Sequence, residues 1–117
     1  MDKRKITNLD KLDFKPFDKY GELIKGWYWH KINFDEKTNF RTYISKLELG
    51  TKTIPHTHTG HEEFLILDGE LIDSDGAIFK EGDFISYKPN SSHSSFTKKG
   101  CLILTFMRGH NTQIKKK

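Results

Sequence analysis

Cysteine is almost absent from this chain: among 117 residues there is one, Cys101. A single thiol closes no intramolecular disulfide, and a cysteine-rich zinc module is excluded with it. Cys101 opens the apolar run Cys101 to Met107, so a buried, inert thiol is expected. Long apolar stretches are missing too. No segment approaches the roughly 18 residues of a membrane span, and no apolar signal core follows the basic start Met1-Asp2-Lys3-Arg4-Lys5. The expectation is a cytoplasmic protein with no membrane partner. Charge of one sign does not dominate either. Twenty Lys and Arg are scattered among 16 Asp and Glu, for a net charge of +4. The basic clusters, Lys3-Arg4-Lys5 and Lys115-Lys116-Lys117, sit at the two ends and read as solubilising termini. A basic face with interleaved aromatics is lacking, so no nucleic-acid partner is expected.

Helical periodicity is the last absence. What is present is a series of short alternating segments with turn signals every 8 to 12 residues, the pattern of an all-β sandwich or barrel. Strands are expected at Trp27 to Phe34, Phe40 to Leu49 and Phe64 to Leu67, the last stopping at a turn at Asp68-Gly69. Further strands are expected at Glu70 to Ile72, Ala77 to Phe79, Phe84 to Tyr87, His93 to Thr97 and Cys101 to Met107. The organisation reads as an N-terminal arm (1–25) packed on a barrel (26–110), with a basic tail (111–117). Phe14, Phe17, Leu23 and Ile24 are placed to pin the arm. Trp27 and Trp29 share one face of their strand, which serves either the core or a dimer interface; a homodimer is expected.

The chemistry concentrates between Gly50 and Gly69. His56 and His58, two apart on a strand, point the same way, with Thr57 pointing away. Thr59-Gly60-His61 turns the chain and brings Glu62 near both imidazoles. Beyond it, alternation puts Phe64 and Ile66 on the face of Glu62, and Glu63, Leu65 and Leu67 on the other. His93 begins a later strand that a barrel brings back to the same interior. Three imidazoles and a carboxylate suit one divalent ion of Fe, Zn, Ni or Mn, and leave up to two positions open on an octahedral ion.

The spacing of Gly50, His56, His58, Glu62 and Gly69 resembles the first motif of the cupin superfamily at every fixed position. Gly82, Pro89 and His93 are similar to the second motif, with Asn90 or Ser91 where Gly is usual in the turn, and Thr97 where Asn is common. The texture from Gly60 to Gly69, then Pro89 to His93, then Gly100-Cys101-Leu102, is similar to the cupin domain of ChrR-type anti-sigma factors and to small dioxygenase-like cupins. The resemblance covers residues 38 to 108. It implies a double-stranded β-helix, or jelly-roll barrel, with a metal held by His56, His58, Glu62 and His93. The zinc-binding, sigma-factor-binding domain of ChrR-type proteins has no counterpart here, so sigma-factor inhibition does not carry over.

The function expected is that of a metal-dependent, dioxygenase-like enzyme acting on a small organic substrate. Two alternatives stand beside it: a lyase or isomerase using the metal as a Lewis acid, and a non-catalytic, metal-loaded sensor. Arg41 and Tyr43, on one strand face, are candidates for binding a substrate carboxylate or carbonyl, with Tyr87 and Ser95 weaker ones. His61 is a candidate substrate contact or proton shuttle, set against an exposed turn residue. Glu63 is a fallback ligand. His30 and His110 read as surface residues.

Overall fold

The computed structural model describes residues 3–109 and the backbone of 111–113. His110, expected at the surface, and 114–117 of the expected tail lie outside the described residues. One turn of 3-10 helix, Leu9–Lys11, precedes strands β1 (Lys15–Pro16), β2 (Trp27–Asp35), β3 (Phe40–Leu47), β4 (His56–His58), β5 (His61–Asp73) and β6 (Ile78–Lys80). Then follow β7 (Phe84–Tyr87), β8 (Ser92–His93), β9 (Ser95–Phe96), β10 (Cys101–Arg108) and β11 (Asn111–Gln113). The expected all-β jelly roll is what forms. A large antiparallel sheet runs β1-β2-β3-β10-β5-β6, with β7 and β9 also on β5, and a small sheet, β11-β4-β8, lies apart from it. No helix among the described residues is long and apolar enough to cross a membrane.

Strand β5 departs from expectation in a way that shapes the site. The turn expected at Asp68-Gly69 is a bulge, and the strand runs on through it. Pairing with β10 slips there: Ile103 faces Ile66 while Leu102 faces Asp68, and Leu67 is skipped. Gly69 takes φ +82, and a Cβ on it would collide with Gly100 O, so only glycine fits. The extra residue flips the alternation. Glu62, Phe64 and Ile66 are buried before the bulge; Leu71 and Asp73 are buried after it. The stretch expected as one strand from His93 to Thr97 likewise divides, because His93 pairs with β4 while Ser95 and Phe96 pair with β5.

Aromatic stacking closes the core. Phe17 is 1% exposed and stacks on Trp27 at 3.7 Å between ring centroids, and its edge meets Trp29 at 4.6 Å. Its backbone N–H donates to Trp27 O at 3.0 Å, which ties the arm to β2. Trp27 and Trp29 therefore face the chain's own interior, and the aromatic face of β2 is no dimer interface. Ile24 packs against the same cluster, but Leu23 does not pin the arm; it is 69% exposed. Exposed aromatic side chains lie elsewhere: Phe40 at the start of β3, and Phe84 on β7, whose ring sits 6.5 Å from that of Phe106 on β10.

Candidate metal centre

The small sheet carries three imidazoles and the large sheet one carboxylate, and the barrel brings them face to face. His56 pairs directly with His93 across β4 and β8. The turn before β8 is held by Asn90, whose N–H donates to His58 O at 2.7 Å and which takes φ +69 in place of the usual glycine. Gly60 lets the chain fold from β4 into β5, because the Arg108 carbonyl packs where a Cβ would stand. The result is a buried group of His56, His58, Glu62 and His93 whose ligand atoms all lie within 4.8 Å of one another.

Hydrogen bonds fix the tautomer of each imidazole. His56 Nδ1 donates to Ile54 O at 2.8 Å. Ser91 gives its hydroxyl proton to Lys88 O, which leaves its oxygen to accept from His58 Nδ1 at 2.9 Å. His93 Nδ1 donates to the Asp73 carboxylate at 2.8 Å. Each Nδ1 is held by an oxygen acceptor, so each Nε2 points inward as the atom available to ligate, that of His93 once its proton is displaced. His56 Nε2 and His58 Nε2 stand 2.9 Å apart. Two lone pairs at that distance repel unless a cation lies beside both. Two nitrogens bound at about 2.0–2.1 Å, at right angles, would be separated by about 3 Å. Glu62 Oε1 lies 3.2 Å from His58 Nε2 and 3.5 Å from His93 Nε2. His93 Nε2 is buried and makes no hydrogen bond. The donor set and this orphaned nitrogen fit a divalent transition metal.

Electrostatics agree. Burial pushes the Glu62 carboxyl up, but the imidazoles of His58 and His93 beside it outweigh burial and hold the group well below the usual carboxylate range. Burial lowers His56 to about 4, so it stays neutral. Burial also lowers His93, but Asp73 and Glu62 overcome it and raise the group to about 9. A metal must therefore displace a proton from His93. Asp73 is pushed up by burial and brought below its ordinary value by hydrogen bonds from His93, Tyr87 and Ser95.

A cavity of about 50 Å³ adjoins the group, with room for a few waters or a small organic fragment. Its wall includes His56, Glu62 and His93, the apolar Phe64, Leu71 and Ile103, and Phe17 and Tyr20 from the arm. Tyr43 and Ser95 reach this wall; Ser95 donates to Asp73. Arg41 is half-buried, its guanidinium 5.7 Å from the Phe34 ring centre. Tyr87 packs its ring against His93 at 4.3 Å and donates to Asp73. His61 is exposed, away from the cluster. Glu63 accepts from Ser86 Oγ at 2.8 Å on the outer face. His30 accepts from the Asp13 N–H at 3.1 Å. Sequence reasoning missed Asp73, the partner that orients His93, and missed the arm's contribution to the pocket. The Asp73 signal lay in the Asp68-Gly69 pair, read as a bulge instead of a turn.

Residues 2–111 match the ChrR cupin-like domain. No curated protein matches the chain. Among solved structures, an RmlC-like cupin from Ralstonia eutropha JMP134 superposes with a TM-score of 0.82 at 12% identity, over 96% of this chain and 73% of that one. Acetylacetone dioxygenase from Acinetobacter johnsonii gives 0.80 at 16% identity, over 99% and 83%. The polyketide cyclase RemF from Streptomyces resistomycificus gives 0.76 at 17% identity, over 97% and 87%. At such identities these similarities speak for the fold. With the family match spanning nearly all its length, this chain belongs to the ChrR cupin-like domain family.

Proposed function

We propose that the protein is a metal-dependent, dioxygenase-like enzyme acting on a small oxygen-bearing organic substrate. One divalent metal, iron in the leading reading, is held by His56, His58, Glu62 and His93. The observation that carries this reading is the set of three inward Nε2 atoms facing Glu62, that of His93 without a hydrogen-bond partner, beside a small, largely apolar cavity. When bound, the metal supplies Lewis acidity and, if iron, the redox chemistry that activates a chelated substrate toward O2. The chain's own part is positional. Ile54 O, Ser91 and Asp73 hold the imidazoles in the ligating tautomer. Phe17, Phe64, Leu71 and Ile103 exclude water from the substrate's side, which strengthens every polar contact made there. The fold shared with acetylacetone dioxygenase supports this class of substrate.

A non-redox lyase or isomerase with Zn, Ni or Mn is the second reading, supported by the fold shared with a polyketide cyclase. A metal-loaded sensor that turns nothing over is the third, supported by the ChrR family match. Tag-free protein purified anaerobically is expected to contain iron, about one per chain, and to consume O2 with a member of a panel of β-diketone, aromatic and thiol compounds. Persistent zinc with no O2 uptake across the panel would sink the dioxygenase reading. His93→Ala is expected to lose the metal and His61→Ala to keep it, by elemental analysis. A second copy of the chain is proposed as partner through the outer face at Phe84 and Phe106; sedimentation of Phe84→Lys as a monomer, against a native dimer, tests this.

A further inference from the structure

Strand register lines up one row of side chains across the inner face of the large sheet. Arg41 on β3 stands opposite Met107 on β10, Met107 opposite Glu62 on β5, and Glu62 opposite Tyr87 on β7. Lys19, from the arm, reaches the middle of this row. Its Nζ lies 2.9 Å from Met107 Sδ and 5.6 Å from the Tyr20 ring centre. A thioether is a weak acceptor, and among the described residues no carboxylate forms a salt bridge with this half-buried ammonium.

The surroundings of Lys19 are nonetheless charged. Burial lowers the group to about 8, Glu62 opposes that, and Arg41 adds to it, so both neighbours are near enough to act. Lys19 stays mostly protonated at neutral pH. Glu62 faces the imidazoles of the metal centre, its Oε1 3.2 Å from His58 Nε2 and 3.5 Å from His93 Nε2. Met107 stands opposite Glu62 in the strand register, so an ammonium seated on Met107 Sδ lies on the side of the sheet that carries the carboxylate of the centre. Phe17 and Tyr20, on the same arm, already form part of the cavity wall. A half-buried cation without a good acceptor, on the arm between two residues that wall the cavity, is poised for an acceptor brought by the ligand.

We propose that Lys19 is a specificity-determining residue: it pairs with a carboxylate on the small molecule held at the four-residue centre, a few atoms beyond the oxygens that reach the metal, with Arg41 adding its charge across Met107. This rests on the metal-dependent reading above and narrows the substrate class to oxygen-chelating compounds that carry an additional carboxylate.

The test uses the full chain loaded with Co(II), whose visible spectrum reports ligands entering the centre. The probes are 2-oxoglutarate and 2-oxopentanoate, which share a chelating head and differ in the distal carboxylate. The native protein is expected to bind 2-oxoglutarate at least about tenfold more tightly. Lys19→Met, which keeps the volume and removes the charge, is expected to erase that preference without changing the affinity for 2-oxopentanoate. Lys19→Arg is expected to keep part of it. Lys19→Gln serves should Lys19→Met melt early. Equal binding of the two probes by native protein, or an undiminished preference in the charge-removing variants, overturns the assignment of Lys19 and leaves the metal reading standing. Failure of the native chain to take up Co(II) overturns both.

Discussion

Replacing Asp73 with asparagine changes almost no volume but alters the logic of the hydrogen bonds behind the candidate metal centre. The carboxylate accepts from His93 Nδ1 and Ser95 Oγ, each at 2.8 Å, and from the Tyr87 hydroxyl. All three partners donate, so an acceptor-only group satisfies them all. Asparagine offers one oxygen and an NH2 that only donates. At least one of the three partners then meets an N–H. Where that partner is His93, its proton moves to Nε2, the atom that must face the metal. Loss of the negative charge also removes a main cause of His93's raised pKa. Outer partners of metal-bound histidines are worth about 10–100-fold in affinity, or about 1.4–2.7 kcal/mol. Chelator competition with Zn(II) and Co(II) is expected to place Asp73→Asn in that range. Calorimetry at pH 7.5, in buffers of different ionisation enthalpy, adds a second readout. Native protein is expected to release about one proton per metal, because His93 holds its proton up to about pH 9; the variant is expected to release fewer. Native affinity together with native proton release in Asp73→Asn would refute the role given to this carboxylate.

The metal-free chain should show a stability maximum between about pH 5 and 8. The lowered Glu62 contributes stability above its ordinary value of 4.5 that is lost on acidification, and the raised His93 contributes stability below 6.5 that is lost as pH climbs through about 9. Metal addition should raise the melting temperature more at pH 9 than at pH 6.5, since the competing proton is gone; an equal rise at both, by scanning calorimetry, would contradict this. Phe17→Ala should cost about 3–5 kcal/mol in urea unfolding, because this ring is 1% exposed and stacked on Trp27; a loss under about 1 kcal/mol would mean that the arm is not part of the core.

The convergence of His56, His58, Glu62 and His93 was legible because it depends on alternation within short strands and on a turn of fixed length. Phe64 and Ile66 follow the same rule and are buried as alternation requires. Alternation also explains what was not legible. Counted straight from Glu62, it buries Ile72 and exposes Asp73; the bulge at Gly69 reverses this, and an Asp-Gly pair reads equally well as a hairpin turn. The arm carries no period at all. Phe17 and Leu23 look alike in sequence, yet one is buried and the other 69% exposed, because their fates depend on what β2 offers them across the chain. Lys19 was hidden for the same reason: its surroundings are made by β3, β5 and β10.

The position of β10 has a consequence for how the chain reaches this structure. It is the central strand of the large sheet, paired along its length with both β3 and β5, yet it is synthesised after both of them. Until Cys101 to Arg108 emerge, β3 and β5 each keep an unpaired edge, which invites pairing with the wrong chain. The contacts that close the sheet join residues up to 68 positions apart, as between Phe40 and Arg108, so folding should be slow for the chain's size, in the millisecond-to-second range. The barrel, and with it the cavity beside Glu62, is completed late, by insertion of one strand between two that wait for it.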